Sequence, residues 1–186
     1  MNHLLLIVGL TTTGIASDVD FFSKFNQNEY KIKKERFALK DYNQTLLNYL
    51  RVSTFKFNRT DFATNVSVSP KFDVADKEIY VTTQAYLFLS NEYRIFPLRF
   101  QISYCDFLEN RIMGLSNHEC GNVHTCPLRK NFPYHLCNWR TLASKLPPGI
   151  PDGQYKLNYR GMYFKSFLFD IDHYGTVYRE LKIVDW

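Results

Sequence analysis

The stretch EIYVTTQAYLFL, residues 78–89, alternates with a period of two. Ile79, Val81, Thr83, Ala85, Leu87 and Leu89 fall on one side, and Tyr80, Thr82, Gln84, Tyr86 and Phe88 on the other. Such a period is that of a β-strand, whose successive side chains point to opposite faces. QYKLNYRG, residues 154–161, repeats the pattern by setting Tyr155, Leu157 and Tyr159 against Lys156, Asn158 and Arg160. LRVSTFKFN, residues 50–58, sets Leu50, Val52, Thr54 and Lys56 against Arg51, Ser53, Phe55 and Phe57. FLFDIDHYGTVYRELKIV, residues 167–184, reads as a hairpin with its turn at Asp172–Gly175 and with Val177, Leu181 and Ile183 sharing a face beyond it. Strands of this length, punctuated by Asn, Pro and Gly, predict an all-β antiparallel sandwich or cup. CDFLENRIMGL, residues 105–115, is the best helical candidate, with Phe107, Leu108, Ile112 and Leu115 near one face. Pro147, Pro148, Gly149, Pro151 and Gly153 mark a rigid loop ahead of the 154–161 strand.

The N-terminus, MNHLLLIVGLTTTGIASDVD, has a short apolar run from Leu4 to Leu10, with small residues at Gly14 and Ala16. That layout predicts a signal peptide, residues 1–16, removed to leave a single secreted domain, residues 17–186. Three Asn-x-Ser/Thr sequons, at Asn43, Asn58 and Asn65, suit a secreted glycoprotein and would lie at the surface. The net charge of +5 is modest. Lys31, Lys33, Lys34 and Arg36 cluster in YKIKKER, which reads as an edge strand blunted by cations. An anionic membrane surface is a possible partner for it, and nucleic acid is not expected outside the cell.

Residues 117–137 hold three His-x-Cys pairs: His118 before Cys120, His124 before Cys126, and His135 before Cys137. Two ligands at i and i+2 on a strand share a face, so zinc is a conceivable reading. The oxidising route and the even cysteine count favour disulfides instead, and no Cys-x2-Cys spacing is present. Four cysteines allow three connectivities. No metal or cofactor is expected.

YCDFLENRI, then TCPLRKNFPYHL, then LPPGIPDGQYKLNYRG resembles the succession of motifs in the ganglioside-activator-like lipid-recognition proteins, over roughly Tyr93 to Arg160. In these a Cys-Asp pair opens a short helix, a Cys-Pro opens a basic turn and strand, and a Pro-rich loop leads to a Gly-x-Tyr strand. The form is most similar to the insect chemosensory branch, the CheA/CheB type. The resemblance implies bridges Cys105–Cys126 and Cys120–Cys137. It also implies a β-cup that holds a lipid or other hydrophobic small molecule between its sheets without altering it, in pheromone or taste detection.

The residues agree with a non-enzymatic reading, since no Gly-x-Ser-x-Gly elbow, Walker A loop or dinucleotide fingerprint is present. DIDHYG begins like a calcium loop, but Tyr174 and Leu181 occupy positions that need oxygen ligands. Asp106 and Glu109 are read as complements to a helix N-terminus. A hydrolase built on His118, Glu119 or Asp106 would need a cleft where they converge. Candidate cup-lining residues are the strand aromatics Phe55, Phe57, Tyr80, Tyr86, Phe88, Phe100, Tyr155, Tyr159, Phe167 and Phe169, drawn from a chain that is 17% aromatic. Alternation alone leaves open which face looks inward. The alternative is a solid-core protein that binds an extracellular receptor through an aromatic patch and the basic segment.

Overall fold

The computed structural model describes residues 25–75, 77–115, 120–123 and 126–180. The expected signal peptide lies outside them, as do His118, Glu119, His124, Leu181 and Ile183. The described strands, in chain order, are β1 (Lys31–Tyr42), β2 (Leu47–Lys56), β3 (Phe62–Pro70), β4 (Ile79–Leu89), β5 (Glu92–Ser103), β6 (Cys120–Gly121), β7 (Tyr134–Trp139), β8 (Gly153–Tyr163) and β9 (Ser166–Tyr178). One sheet runs β1-β9-β8-β4-β5 and the other β2-β3-β7-β6, with every neighbouring pair antiparallel. The all-β sandwich expected from the alternation is therefore the observed architecture.

The larger sheet turns its aliphatic side inward. Along β4, Ile79, Val81, Thr83 and Ala85 are buried, while Tyr80, Thr82, Gln84, Tyr86 and Phe88 on the opposite face are partly exposed. Tyr155 and Tyr159 of β8 are buried on the same inner side. β1 forms one edge, as its lysines suggested, and β5 forms the other with Pro97 in it, a residue that only an edge strand tolerates well. Facing this layer, Leu47 and Leu50 of β2, Val66 and Val68 of β3, and Leu136 and Trp139 of β7 complete the interior.

The predicted hairpin turn at Asp172–Gly175 is corrected: β9 runs through it unbroken, and the chain reverses at Phe164–Lys165, where Phe164 takes φ 49°. Asp172 is held in the sheet, because Asn158 Nδ2 on β8 donates to its carboxylate at 2.9 Å and Tyr174 Oη donates at 3.2 Å. Gly175 lies opposite a bulge. β1 places residues 34 and 35 there between the paired Lys33–Thr176 and Arg36–Tyr174. The extra residue resets the alternation and brings both Glu35 and Phe37 inward.

The helix α1 (Tyr104–Glu109) is shorter than the 105–115 stretch that predicted it. Ser103 caps it by accepting from Asp106 N–H at 3.0 Å, and its own hydroxyl donates to the Asp106 carboxylate at 2.7 Å. The helix stops because Arg111 takes φ 52°, and a separate 3-10 turn, Ile112–Gly114, follows. Phe107, Leu108, Ile112 and Leu115 are all buried despite the break.

Two disulfides are present, Cys105–Cys126 and Cys120–Cys137. The first ties α1 to the segment before Leu128, which makes a single bridge to Val74 instead of the longer strand expected after Pro127. The second joins directly opposed residues of β6 and β7. Between them the chain sends Leu115, Val123 and Leu128 into the interior, so the bridges fix one end of the space between the sheets.

Candidate functional site

The two sheets do not close completely. An apolar cavity of about 150 Å³ lies between them, walled by Leu47 and Leu50 of β2, Val66, Val68 and Pro70 of β3, Leu136 and Trp139 of β7, and Leu168, Phe169 and Ile171 of β9. Phe72, Val74, Ile79, Tyr104, Leu115, Val123 and Leu128 complete the wall. A second cavity of about 100 Å³ adjoins it and shares Val66, Tyr104, Leu115, Trp139, Phe169 and Ile171. Its remaining wall is Phe37, Val52, Val81, Phe107 and Tyr159. A dry apolar cavity of ~150 Å³ holds a molecule the size of benzene, whereas pockets for drug-sized ligands start at ~300 Å³. A long acyl chain therefore needs the sheets to part further than they do in this structure.

Side-chain volume explains where the space lies. Phe169 reaches across the larger sheet because its β8 neighbour is Gly161, where any Cβ would collide with the Phe169 ring. Trp139 packs in a tilted arrangement against Phe37 at 4.7 Å, and its indole Nε1–H donates to the Met113 carbonyl at 3.4 Å. These large rings stand at the edges of the cavity and hold it open between the smaller valines of β3.

Only part of the aromatic set proposed from the sequence meets this space. Phe169 lines both cavities, Tyr159 lines the second, and Tyr155 lines a small third one of about 40 Å³. Phe100 is buried in the core and lines none of them. The other six are corrected to outward positions. Phe57 is 39% exposed beneath the Arg140 guanidinium, 5.0 Å from the ring centroid. Phe55 sits on the β2 face that carries Arg51 and Ser53. Tyr80, Tyr86 and Phe88 occupy the outer face of β4, and Phe167 lies outside under Arg160 at 5.6 Å. Cations make these outer rings tolerable in water: Lys156 sits 4.3 Å from the Tyr86 ring, and Arg36 4.6 Å from that of Tyr174. The missed lining residues are mostly aliphatic. The sequence NVSV, residues 65–68, carried a usable signal, since an exposed Asn65 with Ser67 on the same face requires Val66 and Val68 to turn inward.

A different kind of space opens beside β1. It is a polar cleft of about 450 Å³ lined by Ile32, Lys33, Glu35, Thr60, Asp61, Phe62, Arg140, Thr141 and Leu142. Burial pushes the Glu35 carboxyl up to about 7, against weaker opposing effects of Thr141, whose backbone N–H donates to it at 3.4 Å and whose hydroxyl lies beside it. Behind it lies His173, 4% exposed, with Nε2 3.9 Å from the Glu35 carboxyl; burial lowers this imidazole to about 3 and keeps it neutral. The Phe37 ring stacks on the imidazole at 3.9 Å and, with Trp139, separates the cleft from the apolar cavities.

His135 is exposed, with Nδ1 3.0 Å from the Ser67 hydroxyl, and its neighbour Cys137 is in a disulfide. Among the described residues no group of three or more His, Cys, Asp or Glu is arranged to hold a metal ion. Asp106 is committed to the helix cap and Glu109 is exposed. Asn58 and Asn65 are exposed, while Asn43 is half-buried with its Nδ2 donating to the Phe167 carbonyl at 2.9 Å. No described helix is long and apolar enough to cross a membrane.

No curated protein matches the chain. Among solved structures, a Niemann-Pick type C2 protein from Japanese carpenter ant is similar at 12% identity and a TM-score of 0.35, over 75% of this chain and 96% of that one. Residues 79–157, from the start of β4 to the middle of β8, match the model of the family described as Protein of unknown function (DUF1091), the family that this stretch of the chain resembles.

Proposed function

We propose that the protein is a secreted, non-enzymatic carrier that takes up a lipid or other hydrophobic small molecule between its two sheets. The observation that carries this reading is the almost entirely apolar cavity at the sheet interface, adjoined by a second one that shares six of its lining residues. Burying an apolar ligand there removes its surface from water at ~25 cal/mol per Å² and requires no hydrogen bond from the wall. A role in detecting pheromones or taste compounds belongs to the same proposal and is supported by the sequence motifs alone.

Val66 is the residue to change, because it lines both cavities from the inner face of β3. Val66→Phe fills empty space, so the fold is expected to keep its stability. Affinity for a fluorescent fatty-acid analogue should then fall at least tenfold, about 1.4 kcal/mol. Native mass spectra of the secreted protein should show a bound mass of roughly a few hundred daltons, admitted by parting of the sheets, that leaves on denaturation. Unchanged affinity in Val66→Phe would mean that the probe binds elsewhere.

A second reading has its own observation. Ile95 is 73% exposed on the outer face, opposite Tyr86 and near Phe88 and Tyr93, whose rings lie 5.0 Å apart. Such a patch fits an extracellular protein partner. A protein that stays empty when offered fatty acids and hydrocarbons, and loses receptor binding in Ile95→Asp, would favour it.

Secretion carries an expectation about glycans. Asn58 and Asn65 are expected to be occupied and Asn43 unoccupied, since the Asn43 side chain is held against β9. Enzymatic deglycosylation followed by peptide mass mapping reads this out directly, and glycan at Asn43 alone would contradict it.

A further inference from the structure

We propose that the polar cleft beside β1 is a separate binding site for a small hydroxyl-bearing primary amine, whose ammonium is received by Glu35 and Thr141. The cleft holds about 450 Å³, well within the range of ligand sites. Glu35 and Thr141 line its inner end, and His173 lies behind them. His173 Nε2 is buried with no hydrogen-bond partner among the described residues, the Thr141 hydroxyl lies beside the Glu35 carboxyl, and Glu35 Oε1 faces His173 at 3.9 Å, too far to bond.

The tautomer of His173 decides what this end can accept. In the proposed site Tyr159 Oη donates to Met113 Sδ at 3.2 Å and accepts from His173 Nδ1–H at 3.4 Å. The proton on Nδ1 leaves Nε2 as a lone pair directed at the carboxyl. The imidazole is thus an acceptor and supplies no positive charge. Glu35 is a nearly buried carboxyl with no cation paired to it among the described residues, a costly arrangement that a bound ammonium relieves.

The described charged groups around it have partners of their own. Lys33, on the same strand, extends its ammonium over the Tyr178 ring at 4.4 Å. Across the cleft the Arg140 guanidinium is met by Asp61 at 4.0 Å and by the Phe57 ring. From β9 only the neutral His173 faces the carboxyl. Thr60 and Asp61 on the opposite wall can take the hydroxyls of such a ligand.

The test compares 2-amino-1,3-propanediol with glycerol, which carries a hydroxyl where the first has its amine. Chemical-shift titrations of the full secreted protein are run at pH 8.0 and 5.5. The amine is expected to bind saturably at pH 8.0 with shifts around Glu35 and Thr141, and glycerol is not. Because Glu35 titrates near 7, affinity should drop about thirtyfold at pH 5.5. Glu35→Gln should abolish amine binding in a protein that remains folded. Val66→Phe should leave it intact, which separates this site from the apolar cavity. Equal binding of glycerol, retained binding in Glu35→Gln, stronger binding at pH 5.5, or no saturable shift by the amine at pH 8.0 would each overturn the proposal.

Discussion

Trp139→Ala is expected to destabilise the protein by about 3–5 kcal/mol, the usual cost of removing a buried large aromatic. The effect comes from three losses at one position. The indole is 7% exposed, packs on Phe37 at 4.7 Å and donates to the Met113 carbonyl. Its removal also throws the two apolar cavities together, since Trp139 is a wall of both. With a total stability of ~5–15 kcal/mol for a domain, this is a large fraction of what holds the sheets together. Urea denaturation of the wild type and the variant measures it. A loss below about 1 kcal/mol would mean that the sheets collapse into the vacated space, contrary to a rigid interface.

The second large effect is on the pH dependence of stability. Glu35 in the folded protein holds its proton up to about 7, compared with 4.5 when unfolded. Between those values the native state binds the extra proton, so stability falls as pH rises and the cost is complete above 7. Glu35→Gln removes that term. The variant should match the wild type below pH 4.5, gain steadily above it, and be more stable by about 3 kcal/mol at pH 8. His173 has the opposite sign. Its folded value of about 3 lies below the unfolded 6.5, so its contribution is present above 6.5 and is lost as pH falls towards 3. In Glu35→Gln, stability should therefore climb between pH 3 and 6.5, while in the wild type the two terms oppose each other from 4.5 to 6.5. Parallel curves for the two proteins would show that Glu35 is hydrated in the folded state.

The alternation in residues 78–89 and 154–161 was enough to identify strands and the sandwich, because a period of two is a local property of extended backbone. Where local pattern failed, a backbone irregularity was the cause. The lysine-rich 30–36 segment concealed Glu35, since only the bulge opposite Gly175 turns that carboxyl inward. The run from Asp172 to Gly175 has the composition of a turn, yet the β8 and β1 ladders on either side keep it extended. Arg111 likewise gave no sign in the sequence that it would take a left-handed conformation and end the helix.

By itself the amino-acid sequence determined the strand content and the bridged 105–137 region, which depend on neighbouring residues and on motif order. The faces were decided only by tertiary structure. An alternating strand such as 78–89 offers one aliphatic and one aromatic side, and either would bury apolar area. Two sheets must approach to about 10 Å, which favours the slimmer Val, Ile and Leu side inward. The tyrosines and phenylalanines outside are covered instead by Lys156, Arg36, Arg160 and Arg140 drawn from other strands and loops. The site was therefore visible only after the second sheet was in place, because a cavity belongs to the gap between layers and to no single strand.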